Sequence, residues 1–296
     1  SRVGPEMSVF WCATFWRVRR GETPVGADDA SKPAAAVWKA GALSILAPPM
    51  SAVKLSNPDK VLWPDIGFTK RNLLDYYATV WPLMADFVVN RPLSLLRAPD
   101  GIDAHQFFQK HASPGMNRAV QTQKDSNGEE LIIFDLDPDE GVPLQRVRDA
   151  AVAVRERLEY LGFQSWLKTS GGKGFHIVMP IKPKADWMRV KSFARDFAKA
   201  FQQAEPDRYT ATLAKAARKG RIFIDHLRNG RGATAIAPYS TRARMGAAVS
   251  MPVSWQAIED DLKPDQFRAT TILATGVDKM MHDGQKTASL PGTVVI

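Results

Sequence analysis

The sequence predicts an α/β fold of the α+β kind, with a mixed or antiparallel central sheet flanked by helices. Three observations carry that expectation. Apolar strand-like runs and amphipathic helical runs alternate from Leu131 onwards. Two of the strands are joined by the short turn GGKG, which is too short for a crossover and makes that pair antiparallel. At 296 residues and 45% hydrophobic content, the chain can also bury a sizeable core.

Residues 1–50 contain three Trp, an Ala-rich run AAAVWKAGAL and Pro pairs, with no sustained helix or strand period. They read as a tail or linker, and 51–296 as the folded domain. In TKRNLLDYYATVWPLMADFV, Leu73, Tyr76, Tyr77, Val80, Leu83 and Met84 recur at helical spacing behind Thr69, a suitable N-cap. RPLSLLRAP follows as a strand and DGIDAH as a turn. LIIFDLD then opens the alternating region, and PLQRVRDAAVAVRERLEYLG is an amphipathic helix closed at Gly162. The strands FQSWLKTS and FHIVMP flank the glycine turn. A helix over WMRVKSFARDFAKAFQQA and a strand over RIFIDHL complete the pattern. No internal repeat is visible.

Forty Lys plus Arg against 31 Asp plus Glu give a net charge of +9, a balance that favours a polyanionic partner. No apolar run reaches the roughly 18 residues of a membrane span, so no membrane partner is expected. The apolar patch near the start precedes its basic cluster, the reverse of a secretory signal. A lone cysteine, Cys12, excludes an internal disulfide and suits a reducing, cytoplasmic setting.

The chemistry begins at Leu131–Pro138, LIIFDLDP. Strand alternation puts Asp135 and Asp137 on one face, with Phe134 and Leu136 on the other. Two adjacent carboxylates repel unless a cation lies between them, and hard oxygens suit Mg²⁺ or Mn²⁺. A turn-capping role for a strand-end Asp is the alternative. Asp225 ends RIFID in the same way; three such carboxylates could hold two metal ions for phosphoryl or nucleotidyl transfer. In LKTSGGKGFHIVM, Gly171, Gly172 and Gly174 allow backbone N–H groups to approach an anion, with Ser170 as a hydroxyl donor and Lys173 as charge. The GxxxxGK[ST] spacing of a P-loop is absent, and an ordinary glycine hairpin is the competing reading. His176 is either a phosphate donor or a satisfied core histidine. Arg242 and Arg244 in APYSTRAR share a face if extended and can grip phosphate oxygens, or are simply solvated.

In this order, DLDP, SGGKGFH, FIDHLRN and APYSTRAR resemble the polymerase domain of bacterial DNA ligase D, a branch of the archaeo-eukaryotic primase superfamily. The resemblance runs from about Leu55 to the C-terminus. It implies a primase-like catalytic core and a template-dependent nucleotidyltransferase. Such an enzyme adds ribo- or deoxyribonucleotides to 3′ ends at gaps and double-strand breaks in non-homologous end joining. It also implies a two-metal site holding Mn²⁺ or Mg²⁺ on Asp135, Asp137 and Asp225, with Asp225 or a neighbour helping to activate the primer hydroxyl. Ser170, Gly171, Gly172, Lys173, His176, Arg242 and Arg244 would hold the incoming nucleoside triphosphate. Lys60 and Lys70 would clasp the 5′-phosphate of the downstream DNA strand. Phe107 and Phe108 would stack on the template beside Arg97, where any base offers a π-face. The implied partners are 5′-phosphorylated broken or gapped DNA, a ligase domain and a Ku-type end-binding protein, in the bacterial cytoplasm at the nucleoid.

One departure stands out. Members of the family carry a longer segment before the DxD strand, with a Glu-x-His-x-Trp-like stretch whose histidine lies in the active site. Only about 25 residues, ASPGMNRAVQTQKDSNGEELIIF, occupy that interval here, and the nearby histidine is His111. A non-catalytic end-binding module is therefore an alternative. A DxD phosphatase is another, although Pro138 and Asp139 replace the Thr or Val pattern which that chemistry uses.

Overall fold

The computed structural model describes residues 12–15, 55–88, 93–109, 131–181, 185–230 and 232–276. The expected boundary at residue 50 falls outside these. The four described residues ahead of it, Cys12–Phe15, form strand β1 of a sheet, so this short piece of the expected tail is built into the fold.

A two-stranded unit, β2 (Val61–Trp63) and β3 (Phe68–Thr69), leads into α1 (Lys70–Val88). Thr69 caps this helix as expected. Its Oγ accepts from Asn72 N–H at 3.3 Å while Asn72 Oδ1 accepts from Thr69 N–H at 2.9 Å, so two helix-end donors are satisfied reciprocally. Strands β4 (Leu93–Arg97) and β5 (Phe107–Gln109) pair antiparallel; β1 lies on the other side of β4.

The second sheet carries the chemistry. Strand β6 (Leu131–Pro138) is followed by α2 (Leu144–Tyr160), β7 (Trp166–Thr169), β8 (Phe175–Pro180) and α3 (Trp187–Ala204). Then come β9 (Tyr209–Thr210), β10 (Ile222–Asp225), β11 (Ala235–Ile236), β12 (Pro252–Val253) and α4 (Ala269–Thr275). The six-stranded order is β12-β7-β8-β6-β10-β9; every pairing is antiparallel except β9 with β10, so the sheet is mixed, as predicted. Strand β11 joins β1 in the first sheet.

Helix α3 lies over the Phe134 face of this sheet, where Phe134 and Phe197 rings approach to 4.5 Å. Alternation therefore turns the aspartates of β6 towards the opposite face, away from α3. A single apolar cluster runs from Leu62, Trp63 and Tyr76 through β6–β8 to Ile272, so the N-terminal elements and the six-stranded sheet share one core. Tyr76 ties them further. Its buried hydroxyl donates to the Tyr239 carbonyl at 2.7 Å.

Candidate active site

Four polar side chains form one rung across the six-stranded sheet. Lys168 on β7 is paired with His176 on β8, His176 with Asp135 on β6, and Asp135 with Asp225 on β10. Directly paired residues project from the same face, so the register alone delivers an ammonium, an imidazole and two carboxylates in line. Asp137, two residues beyond Asp135, extends the acidic group along the same face.

Guanidinium groups lie on these carboxylates. Arg228 NH2 is 3.2 Å from Asp135 Oδ2, and its Nε is 3.0 Å from Asp225 Oδ2. The Nε–H is not aligned for a hydrogen bond, so the second contact is ionic rather than directional. Arg218 NH1 donates to Asp137 Oδ2 at 2.8 Å, and the same side chain lies 4.0 Å over the Phe223 ring. Among the described residues no group of three or more His, Cys, Asp or Glu side chains converges on one point. The oxygen donors suit a hard divalent cation in kind. Arg228 lies between Asp135 and Asp225 and Arg218 lies on Asp137, so an ion held by all three carboxylates would replace those contacts. Asp225 also performs the capping role considered for it, with Oδ1 accepting from Leu227 N–H at 2.8 Å.

The surroundings push these groups apart. Burial by itself raises the Asp135 carboxyl, but His176, Arg228 and Lys168 outweigh it and hold the group well below the usual carboxylate range. Asp137 is raised, first by burial and then by the Asp135 charge. Asp225 is likewise raised by burial, against the pull of Arg228. Burial and the Lys168 charge push His176 down to about 4, despite its 3.3 Å contact with Asp135, so the imidazole is neutral at neutral pH.

The glycine turn meets both the DxD strand and the arginine segment, for a reason different from the one read in the sequence. The N–H groups of Gly172 and Gly174 donate to Ser170 Oγ at 3.1 and 3.3 Å, and Gly171 N–H to the Pro264 carbonyl at 2.9 Å. These three donors are engaged within the fold, which corrects the expectation of an open anion nest. What the glycines supply is close approach. A Cβ on Gly174 would collide with the Leu136 carbonyl, and one on Gly171, where φ is +64°, would come within 2.7 Å of Arg242 Cγ. A Cβ on Gly172 would touch the Arg244 guanidinium at 3.4 Å. Ser170, Gly171, Gly172, Arg242 and Arg244 are thereby brought together. Lys173 is exposed at the tip, and its charge works against the rise of the Asp137 carboxyl.

The segment carrying these arginines is held from the N-terminal side. Trp63 Nε1 donates to the Arg244 carbonyl at 2.9 Å, and Tyr77 and Thr241 hydroxyls are 3.0 Å apart. The residues expected to meet DNA fall into two further groups. Lys60 and Lys70 are linked by the 2.9 Å bond from Lys70 N–H to the Lys60 carbonyl. Lys60 Nζ contacts Asp100 at 2.7 Å, whereas Lys70 is buried, its Nζ donating to the Ser56 carbonyl at 2.8 Å. On β4 and β5, Arg97 pairs with Phe107, its guanidinium 5.8 Å from the ring centroid. Phe107 is 39% and Phe108 60% exposed, unusual for rings on strands and inconsistent with core residues. His111 lies outside the described residues.

Sequence reading missed Lys168, Arg218 and Arg228. For Lys168 a signal existed: the hairpin pairs Thr169 with Phe175, so Lys168 must oppose His176. Arg228 stands three residues after Asp225 in a 3-10 turn, a position that became meaningful only once β10 was set beside β6.

The chain resembles known proteins over most of its length. The family described as "LigD, primase-polymerase domain" matches residues 69–131 and 122–281. The chain belongs to that family. The multifunctional non-homologous end joining protein LigD of Pseudomonas aeruginosa is 33% identical over 244 residues, covering 69% of this chain and 29% of that protein. Its Mycobacterium tuberculosis counterpart is 31% identical over 254 residues, covering 70% and 34%. The chain thus spans about a third of the curated relatives it matches. A solved polymerase domain from Mycobacterium tuberculosis ligase D, in complex with DNA, superposes with a TM-score of 0.70 at 28% identity, covering 79% of this chain and 96% of that one.

The alignment to the Pseudomonas protein is also longer than the part of this chain it covers. Of the 296 residues, 69% is about 204, some 40 fewer than the 244 positions aligned to the Pseudomonas protein. The two family stretches meet at residues 122–131, immediately before β6. Membership of this family sets aside the DxD phosphatase reading.

Proposed function

We propose that this domain is a metal-dependent, template-directed nucleotidyltransferase that extends 3′ ends at gaps and double-strand breaks. The observation that supports this best is the Lys168–His176–Asp135–Asp225 rung, with Asp137, the glycine turn and the arginine segment gathered beside it. Asp135, Asp137 and Asp225 would hold Mn²⁺ or Mg²⁺, which supplies charge neutralisation at the reacting phosphates. Ser170, Lys173, His176, Arg242 and Arg244 would bind and orient the triphosphate, and Gly171 and Gly172 would let the two arginines close over the turn. In this reading Arg228 keeps the facing carboxylates from repelling each other before substrate arrives. Lys60 and Lys70 would take the downstream 5′-phosphate, and Phe107, Phe108 and Arg97 the template. A ligase domain and a Ku-type protein are the expected partners, in a cytoplasmic, nucleoid-associated setting.

A second reading, a DNA-end-binding module without catalysis, is favoured by one observation: about 40 aligned positions of the Pseudomonas relative have no counterpart in this chain, and the family match breaks into two stretches at residues 122–131. The two separate in one experiment. The chain is incubated with a gapped, 5′-phosphorylated duplex, nucleoside triphosphates and Mn²⁺, beside the D135A/D137A variant. Extension by the parent chain, lost in the variant while DNA affinity persists, is expected. Binding without extension in the parent sinks the polymerase reading and leaves the end-binding one.

A further inference from the structure

We propose that Lys168 is a positioning residue that holds His176 as the Nε2–H tautomer and aims that N–H at the cleft. Lys168 is wholly buried, in the middle of a sheet, where an ammonium is costly unless it has strong partners. Its Nζ lies 2.9 Å from His176 Nδ1 and 2.9 Å from Ser250 Oγ. Ser250 cannot take over the role, because its hydroxyl proton is directed to the Thr169 carbonyl at 2.8 Å.

The assignment follows from donor and acceptor counting. An ammonium only donates, so the imidazole nitrogen facing it has to present a lone pair. The single proton of the neutral ring is then on Nε2, and that nitrogen faces Asp135 Oδ1 at 3.3 Å. In the other tautomer two repulsive contacts arise together, N–H against ammonium and lone pair against carboxylate. The N–H that Lys168 secures can serve Asp135 or an oxygen of an incoming triphosphate; with the proton on Nδ1 it could serve neither. A carboxylate at position 168, the commoner partner for an orienting role, would select the wrong tautomer.

The consequence for nucleotide binding rests on the proposed polymerase function; the tautomer itself does not. The test uses the full chain, ¹⁵N-labelled and free of DNA, with long-range ¹H–¹⁵N spectra at neutral pH. Among the five histidines, His176 is identified by the signals lost in H176Q. The expected result is a pyridine-like Nδ1 and a pyrrole-like Nε2, with a minor Nδ1-protonated fraction appearing in K168M, whose side chain keeps length but has no donor and leaves Asp135 alone to favour Nε2–H. The KM for the nucleoside triphosphate should rise roughly tenfold in K168M, the scale of a lost charge-assisted contact, with kcat changed less. A protonated Nδ1 in the parent chain, or an unchanged tautomer in K168M, overturns the proposal. If K168M does not fold, the parent spectrum decides between the two tautomers. Absence of primer extension alongside the expected spectra would count against the polymerase reading and leave the role of Lys168 intact.

Discussion

His176 shows how one residue's surroundings set a measurable property of the whole chain. Its ordinary value is 6.5 and its value in the fold is about 4, so protonation favours the unfolded chain. The stability this contributes is complete above pH 6.5 and is lost as pH falls towards 4, a loss of up to roughly 3 kcal/mol. Asp135, held below its ordinary range, acts with the same sign only at still lower pH, whereas Asp137 and Asp225, raised above their ordinary value, act with the opposite sign above that range and offset part of the His176 effect. Urea midpoints at pH 7 and pH 5 should therefore differ in the parent chain and much less in H176Q; equal slopes in both would contradict the assignment. The same residue marks what could be read beforehand. His176 was visible as a candidate, with phosphate donor and satisfied core histidine left open. In the structure it is both buried and bonded on its two ring nitrogens. Which atom faces Asp135 depended on Lys168, a residue whose type gives no hint of a role until the strands are paired.

At the scale of elements, the glycine hairpin and the β2–β3 unit do different work. Strand β8 and its turn are set against β6 so closely that Gly174 has no room for a methyl group beside the Leu136 carbonyl. G174A should cost about 3 kcal/mol through forced backbone displacement, the upper end of ordinary overpacking, and should lower the thermal midpoint even without substrate. An unchanged midpoint would show that β6 and the turn can separate freely. The β2–β3 unit instead holds Lys60 and Lys70 side by side through a backbone bond. Changing both to Ala should remove the preference for a downstream 5′-phosphate while leaving affinity for unphosphorylated gapped DNA within about twofold, since single phosphate contacts are modest increments of a larger electrostatic sum. A preserved affinity ratio with and without the phosphate would count against them. Lys70 is buried on Ser56, so K70A also tests whether that bond orders the start of α1.

At the scale of the molecule, a net charge of +9 and the proposed action on DNA lead to a salt-dependent interaction. If roughly six phosphates are neutralised, DNA affinity should fall about 10³-fold between 50 and 200 mM salt; a flat dependence would exclude backbone contacts as the main source of binding. No helix among the described residues is long and apolar enough to cross a membrane. Much of this architecture was legible in the amino-acid order, because strand alternation and helix periodicity are local. The order placed Asp135, Asp137 and Asp225 at ends of buried strands, identified the antiparallel hairpin, and showed the short interval before Leu131. It did not separate β11, β12 and α4, which are brief and lack a sustained period. Nor could it show that Arg228 lies between two of the carboxylates, or that the glycines serve packing and not an open nest. Those depend on register between strands 40 to 90 residues apart in the chain. A side chain's partner across a sheet is set by how strands align in space, and only the assembled core determines that alignment.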